Sequence, residues 1–318
     1  MRRFREVYSL PASLFLFLLV SALYAQNSNH PLQTLILSVQ DRRGQFVRDI
    51  QREQIVIKGL AATVQRMELD NAPRRILLLL DTSGSMGNYK SLSWSNVAHF
   101  AIRFSQQRKG DDSIGLDTFA EKDEVYVPFT TDSQSLVKHI EALTSSGKGR
   151  TMLGLALTEI LARREGGLRF GDAIILVSDG DRSDADKTDF TRLRDDLTRA
   201  GIRICMVRVP PIIGPGSTEG VSDVSGFVKE TGGIEFNVIN PLKEIQPFIG
   251  ARVDPETLAS TAQAAYTFTQ AYYQLSLKVA DPSQKRRQLR LEIVDQQKGK
   301  IQGLDLNYPR YLLSSSTN

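Results

Sequence analysis

Five apolar residues in succession, Ile76 to Leu80, follow Arg75 and run directly into Asp81-Thr-Ser-Gly-Ser85. A run this short does not make a lone helix and suits a central parallel strand covered on both faces. Its end is opposite in character, because Asp81, Ser83 and Ser85 bring hard oxygen donors to the carboxyl end of the strand. Open α/β sheets bind ligands in the crevice beyond the carboxyl ends of their strands, so the cluster is a candidate ion or ligand site.

The chain beyond repeats the alternation. Val97, Ala101 and Phe104 recur at helical spacing, then Ser113 to Phe119 and Glu124 to Phe129 read as strands of an antiparallel hairpin at a sheet edge. Asp117 within that hairpin is a charge expected to face a partner or the edge. Ser133 can cap a helix carrying Leu136, Val137, Ile140 and Leu143, and the loop Thr144 to Thr151 enters an amphipathic helix whose first turn is expected to hold Thr151. The apolar strand Ala173 to Ser178 ends in Asp179-Gly-Asp-Arg-Ser-Asp184, and a helix from Phe190 to Ala200 stops at Gly201. A buried strand at Ile202 to Val209, a short helix near Val221 to Lys229, a strand at Ile234 to Val238 and a helix entered at Asn240-Pro241 complete the series. Such alternation over residues 73–253 implies an α/β fold with a doubly wound, mostly parallel sheet and helices on both faces.

The flanks have a different rhythm. Residues 26–72 form a β-rich leader with strands at Leu32 to Val39 and Gln54 to Lys58, separated by the turn Asp41-Arg-Arg-Gly44, and a continuation through Val64, Met67 and Leu69. Residues 254–318 form a β-rich tail, entered by a helical stretch from Glu256 to Ala265. There Tyr273, Leu275, Leu277 and Val279 alternate, as do Leu289, Leu291 and Ile293, with Asp281-Pro282 between them as a hairpin signal and Ile301 to Leu306 as a third strand. Neither flank is large enough to hold a core alone, so leader and tail are expected to pair into one small sandwich around the inserted α/β domain. Lys285-Arg-Arg287 reads as a solvated hairpin rather than an anion site.

The first 25 residues have the three parts of a secretory signal: a basic start, an apolar run from Leu14 to Leu23 broken by Ser21, and small residues before a cut after Ala25. The run is short for a membrane span, which implies a secreted or periplasmic protein with no stable span after cleavage. Those residues also carry three arginines against one glutamate, so of the formal net charge of +4 only +2 belongs to the remainder, and the balance gives no reason to invoke nucleic acid. One cysteine, Cys205, excludes an internal disulfide and sits in an apolar run as a small buried hydrophobe. The three histidines, His30, His99 and His139, stand in no catalytic arrangement.

Asp-x-Ser-x-Ser at Asp81 to Ser85, Gly-x-Arg-Thr ending at Thr151 and Ser-Asp-Gly at Ser178 to Gly180 occur in this order, each in the same strand or helix context. Together they resemble the von Willebrand factor type A domain over Arg75 to Arg252, which implies a Rossmann-like fold bearing a metal-ion-dependent adhesion site. The resemblance assigns Ser83, Ser85 and Thr151 as metal ligands, with Asp81 and Asp179 as direct or water-bridged acceptors. Ser178 stands where the family more often has Thr, and Lys148 and Arg150 replace a loop that is commonly small and Gly-rich. The leader and tail, through Asp49-Ile-x4-Ile-Val-Ile and Tyr272-Tyr-x-Leu275, are similar to a secreted VWFA-related family of acidobacterial type.

Mg²⁺, with Mn²⁺ or Ca²⁺ as substitutes, takes such oxygen donors, and weakly donating hydroxyls leave it open to an outside carboxylate. The resemblance therefore implies a non-enzymatic module that binds an acidic group of a partner protein. No nucleophile with a neighbouring base and no Gly-x-Ser-x-Gly elbow is present, and Gly149 stands where a phosphate loop needs Ser or Thr after its lysine. The rival expectations are a metal-assisted hydrolase using the same oxygens and a structural envelope module that does not use its metal site.

Overall fold

A computed structural model of the chain describes residues 32–87, 91–121, 125–143, 149–180, 188–210, 224–238, 252–280, 286–295, 297 and 299–313. The signal segment, Lys148 and the helix expected at Asn240-Pro241 lie outside the described residues. The leader supplies β1 (Gln33–Gln40), β2 (Ile55–Ile57) and β3 (Ala62–Asp70). Then follow β4 (Arg75–Asp81), α1 (Leu92–Gln106), β5 (Ser113–Phe119), β6 (Tyr126–Thr130), α2 (Ser133–Ala142), α3 (Leu153–Ala162), β7 (Ala173–Ser178), α4 (Phe190–Ala200), β8 (Arg203–Arg208), α5 (Val224–Glu230) and β9 (Glu235–Asn237). After α6 (Pro255–Thr269) the chain returns to strands: β10 (Tyr272–Val279), β11 (Arg286–Gln288), β12 (Leu291–Asp295), β13 (Gly299–Lys300), β14 (Asp305–Asn307) and β15 (Tyr311–Leu313).

The main sheet has the order β6-β5-β4-β7-β8-β9. All its pairings are parallel except that of the edge strand β6 with β5, which matches the expected hairpin. Alternation along β4 divides its side chains between two cores, because successive residues of a strand point to opposite faces. Ile76, Leu78 and Leu80 join Trp94, Phe100 and Phe104 of α1, Leu136 of α2 and Leu258 of α6. Leu77 and Leu79 join Leu153 and Leu157 of α3, Leu197 of α4 and Phe227 of α5. The sheet is thus covered on both faces, and the unbroken apolar run of β4 is the consequence.

Three local expectations are corrected. Asp132, not Ser133, caps α2, accepting from the backbone N–H groups of Gln134 and Ser135 at 3.0 Å each, because a carboxylate at that position reaches two orphan donors. The helical stretch assigned to the tail is α6, and it packs in the same core as α1, so the α/β layer extends past residue 253 to Thr269. Asp281-Pro282 lies outside the described residues, and among the described strands β10 does not pair with those that follow it, as the expected hairpin required. β10 instead pairs with β1 on one side and β3 on the other, while β12 pairs with β2 and β13.

These strands form small sheets, β14-β1-β10-β3 on one side and β13-β12-β2 with β11-β15 on the other. Leu35, Leu37, Leu275 and Leu277 share one core with Leu289, Leu291, Ile293 and Leu312. Both ends of the described chain therefore contribute to a single apolar layer. The Tyr273 hydroxyl accepts from Ile50 N at 3.2 Å and donates to Val47 O at 2.9 Å, tying the tail to the leader.

The joint between sandwich and α/β layer lies at the amino ends of the main strands. Asp112, just before β5, accepts from Arg74 N at 2.6 Å, from the Tyr266 hydroxyl at 2.5 Å and from Gln270 Nε2 at 3.0 Å. Arg74 donates through Nε to Gln270 O at 3.0 Å and lies 4.6 Å from the Tyr272 ring, whose hydroxyl donates to Asp70 at 2.7 Å. Arg203, only 1% exposed, packs against the rings of Tyr272 and Phe268 at 4.9 and 5.4 Å, so cation–π contact replaces part of its lost hydration.

Candidate metal centre

The site stands at the other ends of the same strands, about 20 Å from the joint by the rise of a seven-residue strand. β4 delivers Asp81, and the next residues turn at once into a short 3-10 turn, Gly84–Met86. That turn is fixed by Ser83 N donating to Asp81 Oδ1 at 2.9 Å. It is tied to the second loop by Gly84 N donating to Gly149 O at 3.1 Å. Gly149 has φ +94°, and a Cβ there would meet the Glu121 Cβ at 3.3 Å, so both the backbone and the space favour glycine. Ser91 closes the loop after the turn, accepting from Trp94 N at 3.1 Å as the cap of α1 and donating to Met86 O at 2.5 Å.

Each residue named from sequence can be placed. Thr151 Oγ1 donates to Ser83 Oγ at 3.0 Å, and Ser83 Oγ lies 3.2 Å from Ser85 Oγ. Three hydroxyls from two loops are therefore contiguous. Thr151 does not sit in the first turn of α3 as expected, because that helix begins at Leu153; it lies in the approach to the helix, buried to 3% exposure. Asp81 and Ser83 are fully buried and Asp179 is 8% exposed, whereas Ser85 is half-buried, so Ser85 is the member nearest solvent. Arg150 is exposed beside this group.

Ser178 is the residue that sequence reasoning left without a role. Its hydroxyl donates to Asp81 Oδ2 at 2.7 Å, lies 3.4 Å from Asp179 Oδ1 and accepts from Gly180 N at 3.0 Å, so it bridges the two carboxylates across β4 and β7. The signal was available: a hydroxyl at the last position of an apolar strand, immediately before the acidic residue.

The electrostatics are those of two like charges held out of water. Burial first, and then the charge of Asp179, push the Asp81 carboxyl up to about 7, while hydrogen bonds from Ser178 and Ser83 only partly offset this. A cation between such groups relieves both costs. Two carboxylates and three hydroxyls, without thiolate or imidazole, form a donor set suited to a hard divalent ion rather than to a soft one. Among the described residues no group of three or more His, Cys, Asp or Glu side chains could hold a metal, so any ion here would rely on hydroxyl oxygens beside the two carboxylates. Cys205 is buried and its thiol is pushed up to about 11 by burial, as suits a packing residue rather than a nucleophile or metal ligand.

Residues 76–181 match the family described as von Willebrand factor type A domain. No curated protein matches the chain. Among solved structures, an aerotolerance-related membrane protein from Bacteroides fragilis is 17% identical, covering 62% of this chain and 98% of its own, with a TM-score of 0.45. A von Willebrand factor type A protein from Catenulispora acidiphila is 10% identical over 91% of this chain and 74% of its own, with a TM-score of 0.44. Proximal thread matrix protein 1 from the mussel byssus, with a zinc-occupied metal-ion-dependent adhesion site motif, is 13% identical over 67% of this chain and 50% of its own, with a TM-score of 0.46. With β4, β7, the hydroxyl loops and the carboxylate pair all inside the matched segment, residues 76–181 of this chain are a von Willebrand factor type A domain.

Proposed function

We propose that the chain is an exported, non-enzymatic binding module whose α/β domain engages an acidic group of a partner protein through a divalent cation. Asp81, Ser83, Ser85, Thr151 and Asp179 would hold the ion. The observation that supports this most is the convergence of Thr151, Ser83 and Ser85 hydroxyls within 3.2 Å links, beside a buried like-charged pair, at the carboxyl ends of β4 and β7. A divalent ion there supplies an electrophilic position that a carboxylate oxygen of a partner can fill. The chain's own part is to orient its oxygens. Asp81 and Ser83 are fully buried and Thr151 nearly so, while the half-buried Ser85 is the most exposed of the five and leaves its side for a partner.

A role in catalysis would need a group that moves a proton or attacks a substrate. Among the described residues the polar groups that donate to Asp81 include the Ser178 hydroxyl and the Ser83 backbone N–H, neither of which is a base or an activated nucleophile. Export rests on the amino-terminal segment, and no helix among the described residues is long and apolar enough to cross a membrane.

The test is capture of proteins from the source's envelope fraction on the immobilised chain with Mg²⁺ or with chelator. Retention that needs Mg²⁺, is absent for Asp81→Ala and is lost when the captured partner's carboxylates are amidated supports the reading. Equal retention with chelator sinks it. Turnover of phosphate or ester substrates by the Mg²⁺-loaded chain would replace it with the hydrolase.

A further inference from the structure

Remote from the elements that build the metal centre, the sandwich contains a cavity of about 580 Å³ between the β2–β3 connection and β11. Lys58, Arg286, Arg287 and Arg290 line it, together with Gln288 and the apolar Leu60. Among the described residues its lining includes no carboxylate. Four cations around one space repel one another, and that arrangement persists at a cost unless something anionic shares the space. Glu230 lies 3.6 Å from Arg286, and Glu292, 3.7 Å from Lys58, also lies 3.7 Å from Lys300 and so divides its charge between two lysines.

The arginines are placed rather than free-swinging. Arg286 stacks 3.5 Å over the Tyr311 ring and pairs with Glu230 at 3.6 Å, which fixes its guanidinium. Its Nε is buried with no hydrogen-bond partner among the described residues, and a buried donor without a partner loses free energy that a ligand acceptor would restore. Arg287, which also lines the cavity, is 8% exposed, so its charge is largely removed from water. Planar guanidinium forks match phosphate and carboxylate oxygens, and positions fixed in advance reduce the ordering cost of binding.

We propose that this cavity binds a small organic anion, a molecule whose phosphate or carboxylate group sits among Lys58, Arg286, Arg287 and Arg290 while its less polar part lies against Leu60. The volume is that of ordinary small-ligand sites. The proposal revises the sequence-based view of Arg286 and Arg287 as part of a solvated hairpin: β11 pairs with β15, and both arginines line the cavity. It does not rest on the metal centre, since none of its residues belongs to β4, β7 or their loops.

Calorimetric titration of the full chain, freed of metal on chelating resin, with inorganic pyrophosphate in one arm and citrate in the other, tests it. Saturable binding of either probe is expected, pyrophosphate alone marking a phosphate site and citrate alone a carboxylate site. Arg290→Gln is expected to weaken binding about ten-fold, the loss of one charged hydrogen bond, with Lys58→Gln as a second variant should the first misfold. Arg66→Gln, an exposed arginine of β3 paired with Glu68 outside the cavity, is expected to change it by less than about two-fold. Failure of both probes to saturate a chain that unfolds at the usual temperature, or equal weakening by Arg66→Gln, overturns the proposal.

Discussion

The two ends of the main sheet bury polar groups in opposite ways. At the amino ends, Asp112 gives its oxygens to Arg74, Tyr266 and Gln270, and Arg74 and Tyr272 share Asp70, so unlike partners meet. At the carboxyl ends, Asp81 and Asp179 have each other and a set of hydroxyls. The amino end is complete within the chain and serves as a joint. On the proposed reading, the carboxyl end gains from an added positive charge and serves as a site rather than as packing.

That contrast predicts opposite responses to losing a carboxylate. Asp112→Ala strips two buried donors and one half-buried donor of their acceptor and is expected to lower stability by about 3–5 kcal/mol in denaturant unfolding. A loss below about 1 kcal/mol would mean that the joint is weaker than its geometry implies. Tyr272→Phe removes one hydrogen bond to Asp70 and is expected to cost about 1 kcal/mol.

Asp172, at the start of β7, sharpens the comparison through pH. Its carboxyl is pushed up to about 6, chiefly by burial, against an unfolded value of 3.8, despite Arg75 at 3.7 Å. A raised carboxyl pKa means that the folded state holds the proton more tightly, so its contribution to stability is full below about pH 4 and is lost as pH rises through 6. Stability measured from pH 4 to 7 should carry this decline in the parent and carry less of it in Asp172→Asn. The smallest effect is expected at the other end: Asp81→Asn, in metal-free buffer at pH 8, should leave stability unchanged or slightly raised, because it removes one of two buried like charges. A large loss there would erase the distinction between the two ends.

What the sequence disclosed follows from how local each signal was. β4, β7 and β8 are continuous apolar runs buried on both faces, so their ends were legible to within a residue of Arg75, Ser178 and Arg208. The positions of Asp81, Ser83 and Ser85 followed from the same run. The sandwich was harder, because its pairings join residues such as Ile50 and Tyr273 that are 223 positions apart, and alternation in β10 fixes which side chains are buried but not which strand is the neighbour. A turn dipeptide at Asp281-Pro282 therefore pointed to a hairpin that the competing strands β1 and β3 exclude. Similarly, α6 has the composition of a surface helix until Leu258, Ala262 and Phe268 are seen against α1. Ser178 belongs to the Ser-Asp-Gly motif but receives no role from sequence, because a hydroxyl at a strand end is usually a turn former and only its neighbour on β4 shows otherwise.

The central claim is that the carboxyl-end cluster holds a divalent cation, and titration of Mg²⁺ and Mn²⁺ into the metal-free full chain while following its unfolding temperature tests it most directly. An ion that binds only the folded state stabilises it by about 2.7 kcal/mol at a hundred times its dissociation constant. The account predicts a concentration-dependent rise for the parent that Asp81→Asn and Ser83→Ala abolish, although both variants remain folded. An equal rise in the parent and in both variants, or no rise in the parent, would contradict it.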